Sequence, residues 1–185
     1  MRLFPLLLFL IAAGELYGYH LAKVYRNSVW FYNLLDPVLS LLYFLILYFS
    51  IISKHFKKII IGSSVMFILV TCISYKYFYE RDLFNIWMYI FGSILLIVFV
   101  VFKIYELLED PANLDFLKNP FFYILIITLL FYTVTIPYMS MNTWIANTEK
   151  SRFTIILIDV IDILNYILYA TYTIAFLWIR KTGIY

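Results

Sequence analysis

Apolar runs of roughly 20 residues recur about six times along this chain, separated only by short charged links, and such a run is the length an α-helix needs to cross a bilayer core of about 30 Å. That spacing confines the chain to one architecture. With 185 residues and six spans, almost no sequence is left for a soluble domain, and binding or chemistry must be built from the helices and their links. Only 14% of the residues are charged and the mean hydropathy is +0.92, so the apolar character extends over the whole chain instead of one anchor. The expected fold is all-α: a polytopic transmembrane helix bundle forming a single domain over residues 1–185. Its spans are expected near Leu3–Val24, Val29–Ile52, Ile59–Tyr75, Leu83–Leu108, Pro120–Met141 and Phe153–Ile179.

The net charge of +3 does not indicate nucleic acid. A nucleic-acid reader gathers Lys and Arg on one face, whereas these basic residues flank apolar runs and act as topology signals. Six spans put both termini on one side of the membrane. That side carries Arg2, Lys54, Lys57, Lys58, Lys103, Lys118, Arg180 and Lys181; the other carries Lys23, Arg26, Lys76, Arg81, Lys150 and Arg152. The lysines between the second and third spans and the basic C-terminus tip the balance, so both termini are expected in the cytoplasm. Met1-Arg2, the apolar stretch Leu3–Ala13 and the small residues Ala12, Ala13 and Gly14 also fit a signal peptide. An uncleaved first helix is the preferred reading, because cleavage would discard Glu15.

Cys72 is the single cysteine, which excludes an intrachain disulfide and a cysteine metal cluster. The 18 Phe and 18 Tyr follow from AT-rich codons as readily as from function. Trp30, Phe31, Tyr32, Tyr77, Tyr79, Trp144 and Trp178 fall at span ends, where amphipathic rings suit the headgroup region. Between the fourth and fifth spans, the link Glu109-Asp110-Pro111-Ala112-Asn113-Leu114-Asp115 is acidic and its proline stops a helix.

Ionisable groups inside spans cost about 2.5 to 3.5 kcal/mol at the bilayer centre on insertion scales, so they mark candidate sites. Glu15 stands mid-span between Gly14 and Gly18, a GxxxG pair that lets another helix approach closely. Its cost predicts a place in the bundle interior, with Tyr19 one turn on as a donor. Asn33, Asp36 and Ser40 share helical spacing at the start of the second span, and Lys103 and Glu106 stand one turn apart in the fourth. Snorkelling and a local ion pair explain both groups unless they converge on Glu15. In the last span, Asp159, Asp162, Tyr166, Tyr169 and Thr173 form a polar stripe beside Asn165. That stripe is expected to face protein or water, not lipid.

Asp159-Val-Ile-Asp162 has the DxxD spacing by which carboxylates share Mg²⁺ on a pyrophosphate, but a hard cation needs about six oxygen ligands and no second acidic motif accompanies it. No metal or other cofactor is expected. His20 and His55 are the only histidines, and HExxH is absent. Gly62-Ser63-Ser64-Val65 and Gly92-Ser93-Ile94-Leu95 lack the glycine that follows serine in an intramembrane serine protease, no GxGD accompanies the aspartates, and no phosphate-binding loop is present. Without a complete catalytic set, the chain reads as no enzyme.

The runs Gly14-Glu15-Leu16-Tyr17-Gly18-Tyr19, Lys118-Asn119-Pro120-Phe121-Phe122-Tyr123, Asn165-Tyr166-Ile167-Leu168-Tyr169 and Phe176-Leu177-Trp178-Ile179-Arg180-Lys181 resemble an uncharacterised family of small bacterial multi-span membrane proteins. The resemblance implies an inner-membrane location and a seven-span plan of which this chain would lack the first. It implies no activity and no catalytic residue. Two function classes follow from the residues. One is a non-enzymatic bundle working as a sensor or as the partner subunit of another membrane protein, or as a homo-oligomer. The other is a small transporter or channel lined by Glu15, Asp36, Asp159, Asp162 and Asn165, against which five glycines and no internal repeat weigh.

Overall fold

The computed structural model describes residues 3–77, 83–109, 118–147 and 152–182. Six α-helices follow one another: α1 Phe4–Tyr25, α2 Val29–Ser50, α3 Lys54–Tyr77, α4 Ile86–Glu109, α5 Pro120–Asn147 and α6 Arg152–Thr182. No strand occurs among the described residues. All six contain stretches long and apolar enough to span a membrane, which fixes the class expected from the sequence.

Local chemistry sets the helix limits. Pro5 lies in the first turn of α1, where its missing N–H costs nothing. Arg26 ends that helix in the left-handed region at φ 55°, releasing the chain into a short link whose Asn27 Oδ1 accepts the Val29 N–H at 2.9 Å. α4 begins at Ile86 and not at Leu83 because Asn85 caps it, accepting the Met88 N–H at 3.3 Å. Asn119 does the same for α5, accepting from Phe121 N–H at 3.0 Å with Pro120 in the first position. α3 starts at Lys54, five residues before the apolar run, so the basic link forms its opening turn. Within the spans, hydroxyls return to their own helix. Ser64, Ser93, Thr128, Thr133 and Thr173 each donate to the carbonyl four residues back at 2.6–2.8 Å, which satisfies them without water.

The chain divides into two compact units, Met1–Phe99 and Val100–Tyr185. In the first, Phe44 meets Phe67 and Phe99 edge-on with centroids at 5.5 and 5.0 Å, an edge-to-face geometry that ring quadrupoles favour. All three rings are buried. Gly92 lets Phe67 pack closely, since a Cβ there would stand 2.9 Å from Phe67 Cε2 and force that ring to shift. In the second unit, α5 and α6 form the principal pair. Tyr172 and Thr128, both buried, share a 2.6 Å hydrogen bond between hydroxyls, and Trp178 packs on Tyr123 with centroids 6.1 Å apart. Among the described side chains of α6, Leu168, Tyr172 and Ala175 are buried, at the i, i+4, i+7 spacing of one face.

Candidate functional site

The polar residues of the first unit gather at two places, one on each side of α2. α1 approaches α2 through Gly14 and Gly18: a Cβ at Gly14 would collide with Leu35 Cδ2, and one at Gly18 with the Tyr32 hydroxyl. The small-residue pair thus permits the close approach its spacing predicts. Beside it, Tyr32 donates to Glu15 Oε2 at 3.3 Å. Asp36, one turn after Tyr32, lies within electrostatic reach of both Glu15 and Tyr32. The donor to Glu15 comes from α2, while Tyr19 is 70% exposed on the outer surface. Glu15 itself is exposed at the edge of the helix pair, which differs from the interior position that its insertion cost predicts.

Asn33, the other member of the helical trio, faces elsewhere. It is fully buried; its Nδ2 donates to the Leu83 carbonyl at 2.9 Å and its Oδ1 accepts the Asn85 N–H at 2.8 Å. Tyr75 O–H donates to the Asn33 backbone carbonyl, and Asn85 Nδ2 donates to Ser74 Oγ at 2.5 Å. One asparagine thereby ties α2 to the end of α3 and the start of α4. Ser40, two turns on, sits against Gly92 of α4, 3.3 Å from where a Cβ would be. Sequence reasoning missed Asn85 and Ser74. The signal for Asn85 was its place immediately before an apolar run, the position of a helix cap.

In the second unit, Lys103 Nζ and Glu106 Oε2 form the expected ion pair at 3.3 Å, with side chains 8% and 12% exposed. Asp159 and Asp162 are exposed, Tyr166 is 74% exposed and Asn165 is half-buried. At about 100° per residue, the stripe through Asp159, Asp162, Tyr166 and Thr173 lies roughly 140° round the helix from Leu168, Tyr172 and Ala175. It is an exposed face of α6, turned away from that helix's buried side. The acidic link from Asp110 to Asp115, Tyr79, and the side chains of Trp144, Arg180 and Lys181 lie outside the described residues.

The chemistry available is narrow. Glu15, Tyr32 and Asp36 supply carboxylate and phenol oxygens, and no group of three or more His, Cys, Asp or Glu side chains able to hold a metal occurs among the described residues. Cys72 is exposed. Together the helices and these groups define an all-α, multi-pass integral membrane protein. No family model matches the chain, and neither a curated protein nor a solved structure matches it.

Proposed function

We propose that this chain is a non-enzymatic subunit of the membrane, a sensor or a stabilising partner of another membrane protein, whose α6 stripe is the contact surface. The supporting observation is the outward placement of Asp159 and Asp162 on a helix long and apolar enough to span a bilayer. Lipid does not solvate carboxylates, so such a face calls for protein or water against it. Bacterial inner membrane, with both termini in the cytoplasm, is the location that accompanies this reading; its grounds are the family resemblance and the distribution of basic residues.

A small transporter or channel is the second reading, favoured by the proximity of Glu15 and Asp36. Extraction in a mild detergent or polymer disc decides between the two. The subunit reading expects a stoichiometric partner, or a second copy, retained by the native chain and lost when Asp159 and Asp162 are both replaced by Leu. A monomer that drives ion or solute flux after reconstitution would overturn it.

A further inference from the structure

α2 and α3 leave an open apolar groove of about 450 Å³ between them. Leu41, Leu45 and Tyr48 line it from α2, Ile61, Val65 and Ile68 from α3, over a floor that includes the buried Phe44 and Ile60. Those positions follow i, i+4, i+7 spacing on each helix, so the groove runs lengthwise. From Ile60 to Ile68 it covers about 12 Å of helix rise, most of the roughly 15 Å of hydrocarbon in one leaflet. At one end the groove meets charge. Tyr48 closes that end, and Lys57 Nζ stands 5.4 Å from the centre of its ring. Lys57 is one turn before Ile61, and Lys54 and Lys58 stand one turn before Lys57 and Ile61, so the three ammonium groups crown the face that carries the groove. Lys54 and Lys58 are exposed. The N-terminus of α3, with its positive dipole end, opens at the same level.

We propose that this groove is a binding site for an anionic phospholipid, one acyl chain lying between α2 and α3 and the phosphate held by Lys54, Lys57 and Lys58. The two halves of the site have the polarity sequence of such a lipid: apolar for the depth of a leaflet, then basic at the water interface. A polybasic link placed only to orient the protein would have no reason to sit over a groove. The lysines alone would attract any anionic surface, and the groove alone any acyl chain. Only their alignment selects both parts of one molecule.

The test measures lipid retention by the purified full chain in detergent by native mass spectrometry, with phosphatidylglycerol and phosphatidylcholine of the same acyl chains, and with inorganic phosphate as competitor. Phosphatidylglycerol should be retained about tenfold or more over phosphatidylcholine. Replacing all three lysines by glutamine should abolish that preference. Val65→Trp, at a position 53% exposed and away from the packed floor, should fill the groove and lower phosphatidylglycerol retention to a similar degree while the protein still elutes as a folded species. Equal retention of the two lipids would overturn the proposal. So would displacement by inorganic phosphate, or a Val65→Trp protein that keeps phosphatidylglycerol as well as the parent, because the lysines would then act without the groove.

Discussion

Asn33→Ala removes the side chain that joins α2 to the start of α4 in the first unit, and its cost can be worked from the bonds it makes. Two groups lose their partner, the Leu83 carbonyl and the Asn85 N–H. The bond from Tyr75 survives because it ends on the Asn33 backbone, and the bond from Asn85 to Ser74 does not involve position 33. Orphaning a buried polar group costs about 1–3 kcal/mol, whereas hydrogen bonds between membrane helices average only about 0.6 kcal/mol because the unfolded reference also finds partners. Leu83 is exposed at the helix end, where water reaches its backbone, while Asn33 has no exposed surface. Over the two groups these figures bound the cost between about 1 and about 6 kcal/mol, and a value in the lower half, about 2–3 kcal/mol, is therefore expected. For a chain of this size each kcal/mol lowers Tm by about 2–4 °C, so the drop should be roughly 4–12 °C. Heating followed by gel filtration in detergent measures it. Thr133→Ala is the control, since that exposed hydroxyl bonds only to the Leu129 carbonyl of its own helix, and a loss below about 0.5 kcal/mol is expected there. Asn33→Leu, of similar volume, should be nearly as damaging as Ala. If Asn33→Ala matches the Thr133 control, or if Leu restores stability, the polar junction does not hold these helices together.

Gly18→Ala should destabilise by about 1–3 kcal/mol because its methyl would enter the space of the Tyr32 hydroxyl, while Gly62→Ala, with nothing near its Cβ position, should stabilise by about 0.5–1 kcal/mol; the same heating assay ranks them, and the opposite order would refute the α1–α2 contact. Removing only Lys103, as Met, should cost about 3–5 kcal/mol by taking a buried partner from Glu106, and adding Glu106→Gln should recover part of it; a purely additive double variant would mean that the pair is not coupled. In a Cys72→Ser background, single cysteines at Lys57 and Lys181 should both resist an impermeant thiol reagent applied outside intact cells, and labelling of either would reverse the orientation. Replacing Asp159 and Asp162 together by Asn should leave divalent-cation affinity unchanged, as read by the effect of Mg²⁺ on Tm; a Mg²⁺-dependent rise lost in the double variant would favour a pyrophosphate-binding site.

Much of this protein could be read along the chain because the membrane imposes a one-dimensional constraint. A span must be apolar over the thickness of the bilayer, so the number, type and approximate ends of the helices follow from run lengths, corrected by a basic opening turn at α3, by the Asn85 cap at α4 and by the continuation of α5 from Met141 to Asn147. Contacts within one helix were equally legible: Lys103 and Glu106 meet because a helix brings positions three apart together. The close approach at Gly14 and Gly18 was legible as well, because small residues mark it whatever the partner. Helix rotation was not. In water an apolar stripe tells which face is inside, but lipid is as apolar as a core, so a span's composition does not say which side meets its neighbour. Only tertiary packing could decide that Tyr32, not Tyr19, donates to Glu15, that Asn33 turns to the start of α4 while Asp36 comes within electrostatic reach of Glu15, and that Asp159 and Asp162 stand on an exposed face of α6.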